Sequence, residues 1–176
     1  MDKKDKKKLI ILSDLWGGKD IDWIYNYVLE LRSKFEIVFY DIRELADIDV
    51  SIEREELIHN QLVNGGIDKA VAKLKIEEQG EGVIILGFSV GGTIGWRYAT
   101  ETGLVSSLVC VSSTRLRYEK VKPSCKIDLY FGNEDVYAPD NDWFEELGVN
   151  KMTLEGGHII YKKESFSKFI CFQLLQ

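Results

Sequence analysis

Proline is nearly absent from this 176-residue chain, occurring only at Pro123 and Pro139. No stretch rich in Gly, Ser or Pro marks a linker and no segment repeats, so nothing divides the sequence into two folding units. A chain of this length suits one domain, which buries roughly two-thirds of its unfolded surface. Cysteine is almost as scarce. Cys110, Cys125 and Cys171 are odd in number, far apart and without metal-ligand spacing. That excludes a disulfide framework or a zinc site and fits a reducing compartment in which the thiols act as small apolar side chains. Long apolar runs are missing too. Leu9-Ile10-Ile11-Leu12 is cut off by Ser13-Asp14, far short of the roughly seven to fifteen residues of a secretory core or the ~20 of a membrane span. Positive charge is also in deficit: 23 Lys and Arg against 29 Asp and Glu give a formal net charge of −6. Polyanion binding needs clustered cations, so neither nucleic acid nor a membrane surface is expected as a partner. The one basic cluster, Lys3, Lys4, Lys6, Lys7 and Lys8, reads as a frayed, solvated terminus over residues 1–8. These absences predict a cytoplasmic protein, monomeric or a small homo-oligomer, with a single domain over residues 9–176.

Short apolar runs alternate with amphipathic stretches along the whole chain. Strands are expected over 9–13, 36–40, 82–87, 105–111, 126–131 and 151–154. Most are nearly continuous aliphatic or β-branched runs, the pattern of a parallel sheet covered on both faces. Helical spacing appears over 21–34, 53–63, 67–78, 91–101, 140–147 and 164–175, with Asn64-Gly65-Gly66 separating the second from the third. Strand–helix alternation with short connections implies right-handed βαβ crossovers. The fold class is therefore α/β: a doubly wound, mostly parallel six-stranded sheet with helices on both faces. In such sheets functional groups collect beyond the carboxyl ends of the strands.

Residues 87–91 read Gly87-Phe88-Ser89-Val90-Gly91, a G-x-S-x-G pattern. Five letters are weak evidence alone, but here they follow a buried strand and precede a helix, the context of a nucleophile elbow. A serine hydroxyl needs a base to take its proton, and the chain has only two histidines. His59 sits in a charged helical stretch and reads as a solvated surface residue. His158 follows the strand at 151–154 through Glu155-Gly156-Gly157 and so lies on a loop at the sheet's carboxyl edge. The orienting carboxylate is expected at Asp135, in the turn after the strand at 126–131. Glu134 and Asp140 compete for that role, and Asp128 lies within the strand itself.

Together, Gly87–Gly91, the Gly132-Asn133-Glu134-Asp135 run reaching Pro139, and Gly156-Gly157-His158 resemble the α/β-hydrolase superfamily, whose residues follow the same Ser, Asp, His order. Within it the chain resembles small, lidless serine hydrolases of the retinoblastoma-binding protein 9 type. The resemblance implies a catalytic set of Ser89, Asp135 and His158 and an oxyanion hole made by the backbone N–H groups of Val90 and Leu15, with Trp16 the next candidate donor. It implies no cofactor and no metal. Trp16 either walls an acyl pocket or packs on the first helix. Many members carry His-Gly where this chain has Ser13-Asp14, and a carboxylate aimed at the site would oppose a developing oxyanion. Either Asp14 points away or activity on ordinary esters is feeble.

Between the fourth and fifth strands only residues 112–125 are available, too few for a cap, so an open and shallow site is expected. Arg115 and Arg117 in that stretch either greet an acidic substrate group or belong to a solvated loop, the simpler reading. The expected activity is hydrolysis of a small carboxylic ester or thioester through an acyl-enzyme. The alternatives are a serine peptidase or amidase, or a non-catalytic ligand- or protein-binding module on a hydrolase scaffold. A flavodoxin-like nucleotide binder lacks its phosphate-cradling loop after Leu12.

Overall fold

The computed structural model describes residues 6–49 and 51–176. Six strands, β1 (Lys7–Leu12), β2 (Phe35–Tyr40), β3 (Val83–Phe88), β4 (Val105–Val111), β5 (Lys126–Gly132) and β6 (Lys151–Leu154), form one sheet in the order β2-β1-β3-β4-β5-β6. Every neighbouring pair is parallel, which makes the sheet fully rather than mostly parallel. Among the described residues seven α-helices accompany the sheet, α1 (Asp22–Leu31), α2 (Ile42–Leu45), α3 (Glu55–Gln61), α4 (Ile67–Glu77), α5 (Val90–Thr102) and α6 (Asn141–Leu147) between strands and α7 (Glu164–Leu175) after the last one.

Period-two alternation along the strands divides the core into two layers. Leu9, Ile11, Ile84, Leu86, Phe88, Val109 and Val111 face α1 and α7, where Trp23, Tyr27, Leu31, Phe166 and Ile170 cover them. Ile10, Leu12, Ile85, Leu108, Cys110, Leu129 and Phe131 face the other way, under α4, α5 and α6. A fully buried aliphatic or aromatic side chain contributes roughly 1.5–3 kcal/mol, so the strands that read as solid apolar runs are also those the packing holds most firmly. The chain runs outward from β1 to β2 and then returns past β1 to β3. That reversal creates the switch point where α/β proteins place their sites, and both the turn after β1 and Ser89 lie there.

The departures from expectation are local. Lys7 and Lys8 belong to β1, paired with Phe35 and Glu36, and not to a frayed terminus; residues 1–5 of that expected terminus lie outside the described residues. The ladder extends because the Lys8 ammonium reaches the buried Glu78 carboxylate at 2.7 Å, which also receives the Tyr40 hydroxyl. Helix α2 is a single turn that sequence periodicity cannot register; its start is fixed by Asp41, whose carboxylate accepts the Arg43 N–H. Between α3 and α4 the chain passes through a π-type turn, Leu62–Gly66, with Asn64 and Gly65 outside helical geometry. Among the described residues no helix is long and apolar enough to cross a membrane.

Cys110 and Cys171 are buried, and burial pushes both thiols up to about 12, whereas Cys125 is only half-buried and less perturbed. Thiolate is the reactive form. Alkylation of the native protein near neutral pH should therefore mark Cys125 first, with Cys110 and Cys171 modified only after unfolding; peptide mapping reads the order.

Candidate active site

Strand β3, buried along its length, delivers Ser89 to the carboxyl edge of the sheet. Ser89 has φ 51° and ψ −125°, a conformation that costs a non-glycine residue on the order of 1–3 kcal/mol and persists only where its surroundings enforce it. The enforcement is visible. The Ser89 N–H donates to the Val111 carbonyl at 3.0 Å, and the Ser89 carbonyl accepts from Gly92 at 3.1 Å as α5 begins. The flanking glycines make room: a Cβ on Gly87 would lie 2.5 Å from the Gly92 Cα, and one on Gly91 would lie 2.2 Å from the Ser13 carbonyl oxygen. Any side chain at either position would push α5 off the ends of β1 and β3.

Two loops from the far side of the sheet meet this serine. The turn after β5 and the turn after β6 are laced together: Asn133 N–H to the Leu154 carbonyl at 2.8 Å, Glu134 N–H to the Gly156 carbonyl at 3.0 Å, and Gly156 N–H to the Asn133 side chain at 3.0 Å. The lacing sets Asp135 beside His158, which opens a short 3-10 segment, His158–Lys162, instead of lying in a plain loop. Both Asp135 oxygens stand 3.1 Å from the His158 Nδ1, and the His158 Nε2 stands 3.1 Å from the Ser89 Oγ. The Asp135 carboxylate is fully buried and also accepts the Tyr137 N–H at 3.0 Å. With a carboxylate at Nδ1, that nitrogen carries the proton and Nε2 offers its lone pair to the serine. The Tyr137 ring meets the imidazole edge-on, with centroids 5.0 Å apart. The competing carboxylates are occupied elsewhere: Glu134 is exposed, Asp140 caps α6 through the Trp143 N–H, and Asp128 pairs with Lys126.

The loop after β1 supplies the opposite wall. Among the described residues the Leu15 N–H has no acceptor, and the Val90 N–H, at the start of α5, has none within its helix. The Trp16 N–H is taken by the Asp14 Oδ1 at 3.0 Å. Asp14 itself is 2% exposed and does not line the cleft. Its Oδ2 accepts the Tyr161 hydroxyl at 3.1 Å and pairs with the Lys162 ammonium at 3.2 Å. Burial, followed by the adjacent Asp14 charge, holds the Tyr161 phenol well above its usual range, so it stays a donor. The carboxylate that threatened to oppose an oxyanion is thus turned away and neutralised.

Ser89, Val90 and His158 open into a cleft of about 630 Å³. Trp16 lines it and packs with the α2–α5 side of the core, not against α1. The expected shallow site is corrected by two walls: Glu55, Glu56 and His59 from α3, and residues 114–118 after β4. His59 is exposed, as expected of a surface residue, yet it stands on the cleft wall. Of these wall residues the sequence raises Arg115 and Arg117 as contacts for an acidic substrate group, whereas Glu55, Glu56 and His59 carry no such signal, because an amphipathic pattern does not say what a polar face looks upon. A second cavity, of about 480 Å³, lies at the opposite end of the strands between Lys7, Lys34, Lys126 and α7 and contains none of these groups. Among the described residues no cluster of three or more His, Cys, Asp or Glu is arranged to hold a metal.

Removing a buried acceptor of charged and neutral donors costs on the order of 2 kcal/mol. Asp14→Ala should lower unfolding free energy by about that much in urea titration, because it strands the Tyr161 hydroxyl and leaves Lys162 and the Trp16 N–H unpaired.

No protein-family model and no curated protein matches the sequence. Solved structures do. The α/β hydrolase domain-containing protein 10 from mouse superposes with a TM-score of 0.70 at 12% identity, over 99% of this chain and 90% of its own. An α/β-hydrolase enzyme from the metagenome of lagoon sediments at Mar Chica, Morocco, gives 0.65 at 15% identity, over 96% of this chain and 91% of its own. A structure from work on carboxylesterases of the thaumarchaeon Nitrososphaera gargenis gives 0.65 at 15% identity, over 99% and 92%. The closer resemblance to the retinoblastoma-binding protein 9 type rests on chain size, the short segment where larger relatives carry a cap, and the stretch from Cys125 to Pro139. At such identities the likeness is one of architecture: the chain has the α/β-hydrolase fold.

Proposed function

We propose that the protein is a serine hydrolase that cleaves a small carboxylic ester or thioester through an acyl-enzyme. The observation that carries this reading is the unbroken line from the Ser89 Oγ through the imidazole of His158 to the buried carboxylate of Asp135, each step 3.1 Å. In the proposed reaction the Ser89 oxygen attacks the substrate carbonyl as its proton passes to the His158 Nε2. The carbonyl oxygen becomes an oxyanion, held by the Leu15 and Val90 N–H groups and favoured by the positive end of α5. Collapse breaks the ester bond, and the proton on Nε2 leaves with the alcohol or thiol. Water then repeats the sequence: its proton goes to Nε2, its oxygen to the acyl carbon, and Ser89 recovers its proton as the acid departs.

Asp135 keeps the imidazole in the tautomer that accepts at Nε2 and stabilises its charged form. A water-accessible cleft with no cap suits small acyl groups better than long lipid chains, which need apolar surface to bury against. Among the structural neighbours, carboxylesterases are named for one and hydrolase for others, which favours an ester substrate.

Fluorophosphonate probes test the reading. The wild-type protein should take up one adduct, mapped to Ser89 and absent from Ser89→Ala, and Asp135→Asn should cut kcat for an activated ester by on the order of 10⁴. Folded wild-type protein that takes no adduct, or an adduct surviving in Ser89→Ala, contradicts it.

A further inference from the structure

Residues 114–118 form a fixed wall and not the solvated loop that their charge suggests. Leu116 is fully buried, the Thr93 hydroxyl donates to the Thr114 carbonyl, and the far end is tied down at Glu119, which pairs with Arg97 at 2.8 Å and accepts the Trp143 indole N–H through its carbonyl at 2.9 Å. Two non-glycine residues, Ser112 (φ 46°) just before this stretch and Arg115 (φ 71°) within it, hold left-handed backbone. That strain is retained because the buried leucine and these ties over-determine the path.

The wall presents two guanidinium groups. Arg115 lies 4.5 Å and Arg117 4.9 Å from the centroid of the same Tyr118 ring. Arg117 also donates to the Tyr137 carbonyl at 3.0 Å, next to the imidazole of His158. Arg115 is half-buried, and among the described residues none of its five N–H donors meets a protein acceptor and no carboxylate pairs with it. The other well-covered arginines meet protein acceptors: Arg43 donates through Nη2 to the Asp49 and Ile52 carbonyls, though its Nε has no partner, and Arg97 pairs with Asp68 and Glu119. Two like charges sharing one phenol ring repel each other, and Arg115, on the cleft wall without a protein acceptor, leaves its donors open to an anion that would relieve that repulsion. A hydrogen bond from Arg117, then the charges of Arg117 and Arg115, hold the Tyr118 phenol below its usual range. All this sits in a protein of net charge −6, on the cleft that contains Ser89.

We propose that Arg115, with Arg117 behind it, forms the subsite for a carboxylate at the far end of the substrate, so that the preferred esters are half-esters of small dicarboxylic acids. The inference rests on the hydrolase reading and adds its substrate class. A planar guanidinium fork matches a carboxylate in two parallel hydrogen bonds. Glu55 and Glu56 on the facing wall repel the anion toward the arginines, and they oppose a doubly charged phosphate more strongly than a singly charged carboxylate.

The test compares a monoaryl succinate with the aryl butyrate of equal chain length, for wild type, Arg115→Gln and Arg115→Lys, after thermal unfolding has shown that each variant folds. The expected wild-type preference in kcat/KM is about tenfold for the charged ester. It should collapse toward one in Arg115→Gln, mainly through KM, and be partly kept in Arg115→Lys. A wild-type preference at or below one, or a ratio unchanged by Arg115→Gln, overturns the subsite while leaving the Ser89 chemistry standing. Turnover of neither ester together with no fluorophosphonate adduct overturns both readings at once.

Discussion

The strained turn at Ser89 is the constraint on which the rest of the site depends. It projects the hydroxyl out of the sheet only because β1, β3 and the first turn of α5 approach within backbone contact of one another, at 2.2 Å from a would-be Cβ on Gly91. That same approach brings the loop after β1 alongside the N-terminus of α5. The free N–H groups of Leu15 and Val90 then share one space with the serine oxygen. A looser junction would cost the backbone strain its support and separate the donors from the hydroxyl.

Around this junction the electrostatics are arranged by two carboxylates with opposite assignments. Asp135 is fully buried against the imidazole and takes its proton-bearing nitrogen. Asp14, also buried, is satisfied on both oxygens by Trp16, Tyr161 and Lys162, and does not itself line the cleft. Tyr161 links the two, since its hydroxyl serves Asp14 while its ring edge meets His158 at 6.1 Å. The segment His158–Lys162 thus carries the proposed base and the groups that neutralise Asp14 on one short turn.

Most of the architecture was legible in the sequence, for a physical reason: strands buried on both faces must be apolar throughout, so β1, β3 and β4 announce themselves to within a residue or two. The glycines around Ser89 were legible because close backbone approach admits no other residue. Asp14 was not, because its orientation depends on Tyr161, 147 residues away, and no local pattern encodes that contact. The cleft walls were hidden for a related reason. The segment between β4 and β5 is too short for a cap, and much of the enclosure comes instead from α3, a helix whose polar face looks the same in sequence whether it meets bulk water or a cleft. The ordered path of residues 114–118 was masked by their charge, since one buried leucine carries the anchoring.

The most direct test of this arrangement is a crystal structure of the protein inactivated by a small phosphonate. The account predicts a covalent bond to the Ser89 Oγ, with the phosphonyl oxygen accepting from both the Leu15 and Val90 N–H groups and the His158 Nε2 within hydrogen-bond reach of the adduct. A phosphonyl oxygen turned to solvent, or an imidazole withdrawn from the serine and from Asp135, would contradict it.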